Sequence, residues 1–493
     1  MSDRGEKWYR AAVFAFVLLA MLLFFERAHP LVILDTDDWT YISASRVALP
    51  SRRFWNPARI FPEILMPYAS GLGALLFHRL GFIPSLTVMN GLVLSLFIAW
   101  YILCFYRLLA EKLRLRADVA AMLALLFLLF HFLIFRTELQ NNEYLFRAKD
   151  VTCVYYYTIP GLLNCGLAMR LAVTGMHRRF LEGERLFTRG LLAVAAYLAV
   201  FSNLFESVLL AAFCGVDFLC GCFESGRGDL RSFLRCQAFN LAGVLLWVVS
   251  ALMEAGGERA EYASALAYFP SVLVCLRSFL FRFSAMNRVF LLLLSVTVCA
   301  GIFLAVKERR EKDSGFSGLF FRFTALFLLC AAFEIFLCAK VKIDYIMRSD
   351  ALFVVYAALL VLSVLAVAAL LKRLPFLSVG LPLLLVIVFS LTNTGLRTYM
   401  ESNDLYAPAQ VCTALDNAII EQVVAADLAG EDEVAVHVFD TGSEDNWPHT
   451  LYIGPRIAAS LYKYGITQKL MTIQVVRDTA VNESLHVMTE LVP

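Results

Sequence analysis

The feature that most constrains the fold of this chain is a succession of apolar runs, each about 20 residues long, separated by short basic loops. A run of that length crosses the hydrocarbon core of a bilayer as an α-helix. The composition agrees, because 60% of the 493 residues are hydrophobic and only 17% are charged, whereas soluble domains carry about 25% charged residues. The alternation typical of transmembrane β-strands is missing from the sequence. We therefore predict an all-α polytopic membrane protein.

The apolar runs predict roughly eleven transmembrane helices. The first run is followed by Glu26 and Arg27 rather than by a small-residue cleavage site, so we expect an uncleaved helix and not a removed signal peptide. The predicted spans are 11–25, 84–106, 117–135, 154–173, 190–202, 204–222, 236–253, 288–306, 318–339, 351–371 and 377–393.

The basic loops predict the orientation. Five of them, at 107–116, 178–189, 227–235, 307–312 and 372–373, belong in the cytoplasm together with the N-terminus by the positive-inside rule. All five fall on that side only if the apolar stretch 62–80 lies along the outer surface instead of crossing. The same argument makes 258–287 an external interfacial segment. The prediction is a protein of the plasma (inner) membrane with a cytoplasmic N-terminus and an extracytoplasmic C-terminus.

Hydrophobicity ends at Thr394, and this change divides the chain into two predicted domains. Residues 1–393 form the transmembrane domain, in which 26–83 is the first external loop with juxtamembrane helices. Residues 394–493 form a small soluble α/β domain on the outer face. Periodicity within it predicts helices at 407–426 and 458–464 and strands at 433–439 and 471–476.

The first external loop carries an acidic and a basic cluster. Asp35, Asp37 and Asp38 lie within four residues, and like charges at this density are unfavourable unless a proton, a cation or a ligand relieves them. A carboxylate here can take a proton from an attacking hydroxyl, and arginines can hold phosphate oxygens through paired hydrogen bonds. The competing interpretation is mutual ion pairing that fixes the loop to the membrane face. The basic cluster consists of Arg46, Arg52, Arg53 and Arg59.

Five further residues are candidates for the same site. Trp39 and Glu63 belong to the first external loop, and Glu143 belongs to the second. Glu206 follows a predicted helix break, and Arg348 lies between two late spans on the outer side, against the inside bias of basic residues. The alternatives are a solvated loop for Glu143, helix capping for Glu206 and headgroup snorkelling for Arg348. In the tail, Trp447 and Arg456 either recognise a sugar or serve the folding core.

Several function classes are excluded or disfavoured. The net charge of +2 gives no reason to expect a nucleic-acid partner. No nucleotide-binding, metalloprotease or serine-hydrolase motif occurs with supporting context. An enzyme that uses nucleotide sugars would face the cytoplasm, whereas the polar clusters face outward in this topology.

The order of these parts resembles the GT-C class of integral-membrane glycosyltransferases. In that class an acidic motif follows the first transmembrane helix, and surface-lying juxtamembrane helices follow in the same external loop. Asp35-Thr-Asp-Asp-Trp39 looks like the acidic motif, and residues 57–80 look like a juxtamembrane helix. The chain is most similar to bacterial glucosyltransferases that use polyprenyl-phosphate sugars to decorate surface polysaccharides.

The resemblance implies transfer of a sugar from a polyprenyl-phosphate donor to a cell-envelope glycan or lipid, on the outer face and with inversion. One of Asp38, Asp37 and Asp35 would be the base, and we prefer them in that order because many relatives carry an adjacent acidic pair. Arg46, Arg59 and Arg348 would bind the donor phosphate. Trp39, Glu63, Glu143 and Glu206 would line the substrate cavity.

No cofactor is required by the resemblance, but a divalent metal stays open because some relatives use one. Two other functions also stay open. A transporter or flippase of lipid-linked or anionic solutes would carry charges deep within several spans, and a scaffold or sensor would bind envelope polymer through its outer domain. The expected partners in every case include membrane lipids.

Overall fold

The computed structural model describes residues 3–46, 58–138, 141–181, 185–224, 230–255, 268–310, 315–392 and 398–484. Within these ranges the chain is mostly helical, as apolar sequence in a bilayer must be, because helices satisfy their backbone hydrogen bonds internally. The first helices are α1 (Asp3–Leu23), α2 (Thr36–Tyr41), α3 (Met66–Gly73), α4 (Phe77–Leu80), α5 (Phe82–Arg107), α6 (Ala117–Leu133), α7 (Val151–Cys153), α8 (Ile159–Thr174) and α9 (Leu186–Val200).

The second half of the chain continues the helix bundle and ends in an α/β unit. Its helices are α10 (Leu204–Glu224), α11 (Leu230–Cys236), α12 (Ala238–Ala255), α13 (Tyr268–Arg282), α14 (Arg288–Arg310), α15 (Gly315–Val341), α16 (Phe353–Arg373), α17 (Gly380–Thr392), α18 (Ala409–Leu428), α19 (Gly454–Lys463) and α20 (Thr479–Ser484). The strands are β1 (Thr137–Glu138), β2 (Asn141–Asn142), β3 (Thr398–Tyr399), β4 (Glu433–Val438) and β5 (Thr472–Arg477).

Seven helical segments of the described chain are long and apolar enough to cross a membrane. This confirms the prediction of an all-α membrane protein. Each of the eleven predicted spans contains a helix, but α6 and α9 have only 17 and 15 residues, fewer than the roughly 20 that cross the hydrocarbon core without thinning it. The count of eleven therefore stays a prediction. The qualifying segments are 5–28, 82–112, 204–223, 238–255, 288–309, 315–341 and 353–373.

The bundle is built around α16, which is almost completely buried. Helices α14 and α15 pack along it, and α8 and α6 contact it from the other side. At one end of the bundle, the turn after α8 and the first part of α15 meet at the buried Asp217. That carboxylate accepts hydrogen bonds from His177 at 2.9 Å and Arg178 at 2.7 Å, and Arg322 lies 3.3 Å away. A single acid thus balances several basic side chains there.

The opposite end of the bundle is where the two long polar connections meet the tail. Strand β2 pairs with β1 in antiparallel orientation and with β3 in parallel orientation. Because β3 follows α17, this small sheet joins the connection between α6 and α7 to the chain after the last apolar helix. The backbone N–H of Met400 also donates to Asn142 O at 2.8 Å.

The tail forms an α/β unit, with β4 and β5 paired in parallel over six residue pairs. Helix α18 packs against β4, and α19 packs against β5 and α2. The predicted helices at 407–426 and 458–464 and the strands at 433–439 and 471–476 are confirmed to within a few residues. Whether this unit is a separate soluble domain stays a prediction.

Both segments predicted to lie along the membrane surface contain helix. Residues 61–80 form a helix that π-helical and 3-10 turns interrupt at Phe61–Leu65 and Ala74–Leu76. In 258–287 the described part begins at Tyr268 and forms α13, with apolar side chains such as Phe269, Leu273 and Leu280 exposed on one side. Their position at a membrane interface stays a prediction.

Candidate functional site

Three buried carboxylates meet at the polar end of the bundle. Asp35 caps the N-terminus of α2, where its side chain accepts from the backbone N–H of Asp38 at 2.7 Å. Asp150 caps α7 in the same way, through the backbone N–H of Cys153. The two short helices bring Asp35, Asp38 and Asp150 together, and one oxygen of each lies within 4.8 Å of the others. We call these residues the carboxylate trio.

Asp38 joins the first external loop to α7. One of its oxygens accepts hydrogen bonds from the backbone N–H of Thr152 at 2.6 Å and from the Thr152 hydroxyl at 2.7 Å. The other accepts from the backbone N–H of Leu34 at 3.1 Å. With only 1% of the residue exposed, Asp38 is an internal acceptor that holds three donors from two segments.

Burial and mutual repulsion raise the pKa values of the trio. Burial raises the pKa of Asp38 to about 6, although the hydrogen bonds from Thr152 and Leu34 oppose the rise. The pKa of Asp150 rises to about 8 through burial and the nearby charges of Asp38 and Asp404. For Asp35, burial and the charges of Asp38 and Asp150 hold the pKa well above its usual range. Such raised values are typical of functional sites.

The trio fits a hard divalent cation. Carboxylate oxygens are the ligands that Mg²⁺ and Ca²⁺ prefer. Asp35 supports this fit because its Oδ2 atom is fully buried and accepts no hydrogen bond from any residue that the structure describes. When bound, such a cation would neutralise the like charges and orient nearby oxygens. Asp35, Asp38 and Asp150 are the residues that would hold it.

We expect millimolar Mg²⁺, Mn²⁺ or Ca²⁺ to raise the melting temperature of the purified protein by a few degrees. A ligand at 100 times its Kd stabilises the folded state by about 2.7 kcal/mol. The measurement is thermal unfolding after treatment with EDTA, with each cation added back in turn. Asp35→Asn should abolish the shift, whereas Asp344→Asn, an exposed acid on the loop after α15, should retain it. Equal shifts in wild type and Asp35→Asn would contradict a cation at the trio.

Asp37 is the exposed member of the acidic motif. It lies on the same face of α2 as Tyr41, whose pKa burial raises and whose hydroxyl hydrogen-bonds to Arg59. The charges of Glu63 and Asp37 also act on that hydroxyl. Exposure therefore favours Asp37 over Asp38 for contact with a substrate, the reverse of the order taken from the resemblance.

Two of the predicted arginines lie beside this face. Arg46 forms an ion pair with Glu63 and donates to the carbonyl oxygen of Ala58. Arg59 has a positive φ of 68°, a conformation that non-glycine residues adopt rarely and that is enriched at functional sites. Its guanidinium carbon lies 6.0 Å from the centre of the Tyr156 ring. Arg52 and Arg53 lie outside the described residues.

Arg348 is already engaged by a carboxylate. Its guanidinium makes two hydrogen bonds to Asp350, of 3.0 and 2.5 Å, and lies 4.9 Å from the centre of the Tyr157 ring and 5.4 Å from that of Tyr345. Burial alone would raise the pKa of Asp350, but Arg348 holds it below its usual value. This pairing limits the contact of Arg348 with a phosphate, because Asp350 already occupies two of its N–H groups.

An apolar cavity of about 210 Å³ adjoins these arginines. Tyr156 and Tyr157, the tyrosines beneath Arg59 and Arg348, form part of its wall, and α12 and α15 form the opposite wall. The polar side chains Lys340 and Glu254 are at the ends of those two helices. The remaining lining residues are Asn203, Leu204, Phe205, Ala251, Ala255, Phe333, Leu337, Val341 and Tyr345.

Three predicted cavity residues are buried in contacts with the protein itself. Trp39 is fully buried and donates its indole N–H to Asp416 of α18 at 3.2 Å. Glu143 forms an ion pair with Arg282 and accepts from the Ser349 hydroxyl at 2.6 Å. Glu206 is fully buried against Gly161, where a Cβ atom would meet its Oε2 atom at 2.8 Å. Their role in lining a substrate cavity stays a prediction without support from these positions.

Four residues of the site were not selected from the sequence. Asp150 belongs to the carboxylate trio, and Thr152 donates hydrogen bonds to it. Tyr41 hydrogen-bonds to Arg59, and the Tyr156 ring lies against the Arg59 guanidinium. A local signal existed for Asp150, because an aspartate before a short apolar helix is a preferred N-cap. That signal does not reveal its neighbours in space.

Comparisons with known proteins provide no relative on which this site can be mapped. No family model matches the chain, no curated protein matches it, and no solved structure matches it.

Proposed function

We propose that this protein is a GT-C-like glycosyltransferase with roughly eleven spans that transfers a sugar from a polyprenyl-phosphate donor to an acceptor hydroxyl. The reaction takes place at the extracytoplasmic face of the plasma membrane and inverts the anomeric centre. The single observation that carries the proposal is the position of Asp37. This exposed carboxylate directly precedes Asp38 of the buried trio, and its charge acts on the Tyr41 hydroxyl that hydrogen-bonds to Arg59. Arg59 lies over Tyr156, which lines the apolar cavity.

The donor side of the site is the cavity and its rim. Apolar walls of α12 and α15 suit the first isoprene units of a polyprenyl chain, which would enter from the bilayer. The exposed ammonium group of Lys340 and the Arg59 guanidinium at the tyrosine wall suit the phosphate that joins lipid to sugar. Charge that develops on the leaving phosphate would be stabilised by these groups, an effect that often dominates catalysis.

The reaction needs one base and one leaving group. Asp37 takes the proton of the acceptor hydroxyl, and the hydroxyl oxygen forms a bond to the anomeric carbon on the face opposite the phosphate. The bond between that carbon and the phosphate oxygen breaks, and its electron pair leaves with polyprenyl phosphate. Asp38 is too enclosed to reach an acceptor, so its role is to hold α2 against α7.

Replacing Arg59 with glutamine should lower kcat/KM for the donor by about 10- to 100-fold. A hydrogen bond to a charged group contributes about 1.5–3 kcal/mol, and each 1.4 kcal/mol corresponds to a factor of ten. The assay measures release of polyprenyl phosphate from polyprenyl-phosphate hexoses by the detergent-purified chain. Arg79→Gln is the matched control, because Arg79 is an exposed arginine on α4 of the same loop. Equal losses in both variants would remove Arg59 from the donor site.

One observation favours transport as the second candidate. Glu206 on α10 and Glu334 on α15 are fully buried within helices that can span the membrane. Charges at such positions often mark ion or proton pathways. A transporter would move a lipid-linked or anionic solute across vesicles without breaking a covalent bond, and replacing Glu334 with glutamine would abolish that movement.

A further inference from the structure

Helix α2 is held along its whole length by the tail. The Thr36 hydroxyl donates to Pro448 O at 2.9 Å, and the Ser460 hydroxyl donates to Trp39 O at 2.9 Å. Lys463 donates to Ser43 O at 2.7 Å just after the helix ends. Residues 448–464 therefore form a wall beside the acidic motif, which we call the tail wall.

Two side chains of this wall lie next to the exposed face of α2. Arg456 donates to the Thr40 hydroxyl, and Thr40 is three residues after Asp37, on the same helical face. The Arg456 guanidinium carbon lies 5.7 Å from the centre of the Tyr452 ring. Tyr452 is 53% exposed, so that its ring is accessible to a ligand. Asp37, Arg456 and Tyr452 thus border one open surface.

The chemistry of this surface suits a pyranose ring. One face of such a ring presents C–H groups that pack on an aromatic side chain, whereas its hydroxyl groups need polar partners at the edge. Tyr452 offers the aromatic face. Arg456 has five N–H donors, of which Thr40 engages one group, and Asp37 offers an acceptor. A lipid hydroxyl would not make use of both an aromatic face and several polar partners beside it, as a pyranose ring does.

Asp37 has different neighbours on its two sides. Tyr41, four residues after Asp37, hydrogen-bonds to Arg59. Arg59 lies over Tyr156, which lines the apolar cavity where the donor phosphate would lie. Thr40, three residues after Asp37, accepts a hydrogen bond from Arg456, which lies over the Tyr452 ring. A base between donor and acceptor needs this arrangement, because the acceptor hydroxyl must reach the base and the anomeric carbon together.

We propose that Tyr452 and Arg456, with Asp37, bind a pyranose ring of the acceptor, so that the acceptor is a carbohydrate chain and not a lipid. This inference rests on the proposed function and specifies its acceptor class. It also assigns two residues of the tail wall, Tyr452 and Arg456, a direct part in substrate binding.

The test uses the full chain in nanodiscs and two independent readouts. The first is saturation-transfer NMR with a panel of neutral, N-acetylated and acidic oligosaccharides in the absence of donor. The second is transfer from polyprenyl-phosphate hexoses to the same panel. We expect at least one oligosaccharide to bind and accept sugar, and we expect Tyr452→Ala to raise its KM by about tenfold. Arg456→Gln should weaken binding to a similar extent.

Tyr462→Ala is the matched control, because Tyr462 is 51% exposed on α19 of the same wall and should bind and transfer as wild type does. Equal KM values in the Tyr452 and Tyr462 variants, or transfer to lipid hydroxyls alone, would overturn the inference. The absence of any donor turnover would instead overturn the proposed function. The NMR readout would still decide whether the wall binds carbohydrate, and no difference between variants there would overturn the inference as well.

Discussion

Asp37→Asn is expected to lower the rate of sugar transfer by about 10²- to 10⁴-fold, the usual contribution of a general base. The amide cannot take the acceptor proton, but it keeps the size and most hydrogen bonds of the carboxylate. Because Asp37 is exposed, the substitution should change the free energy of unfolding by less than about 0.5 kcal/mol. Radiolabelled polyprenyl-phosphate hexose measures the rate, and thermal unfolding measures the stability.

Asp344→Asn is the control for Asp37→Asn, because it removes one negative charge from another exposed loop. It should leave transfer unchanged. A fully active Asp37→Asn variant would exclude Asp37 as the base. An inactive variant with a lowered melting temperature would indicate a structural role instead.

Asp38→Ala is expected to destabilise the protein by about 3 kcal/mol or more. The substitution leaves two backbone N–H groups and a hydroxyl without their acceptor, and each buried group left in this way costs about 1–3 kcal/mol. Part of the loss is offset because a like charge is removed beside Asp35 and Asp150. Urea or SDS titration of the detergent-purified protein measures the free energy of unfolding.

Thr152→Val tests the same junction from the other side. It removes the hydroxyl bond of 2.7 Å to Asp38 and keeps the backbone bond of 2.6 Å, so a smaller loss of about 1.5–3 kcal/mol is expected. If Asp38→Ala and Asp37→Asn had equal and small effects on stability, Asp38 would not hold the first loop to α7. The two adjacent aspartates are thus expected to separate, one governing rate and the other governing stability.

The tail shows what local sequence patterns can predict. The strand at β4 alternates apolar and polar residues, and α18 repeats apolar residues with helical spacing, so each element follows from its own residues. How the tail meets α2 does not follow, because the bonds from Ser460 and Pro448 join positions more than 400 residues apart. The apolar periodicity of a helix or strand gives no information about such a contact.

For the candidate site too, the sequence predicted some of the residues but not which of them meet in space. Three aspartates next to the first apolar helix predicted a cluster of negative charge, but the buried trio exchanges one of them for Asp150. Asp37 and Asp38 differ in role because the turn of α2 points one outward and the other toward α7. The sequence also predicted arginines at the site, but it did not predict which carboxylates pair with them. Arg46 and Arg348 are paired with Glu63 and Asp350, partners whose proximity only the folded chain determines.

The fate of the donor in liposomes that contain the purified chain tests the proposed sugar transfer most directly. Polyprenyl-phosphate hexose, labelled in the sugar, is supplied with an oligosaccharide acceptor, and lipid and aqueous fractions are analysed. We expect polyprenyl phosphate to accumulate, labelled sugar to move to the oligosaccharide, and both changes to disappear in Asp37→Asn. Intact donor that crosses the bilayer, or donor consumption that Asp37→Asn leaves unchanged, would contradict the proposed transfer.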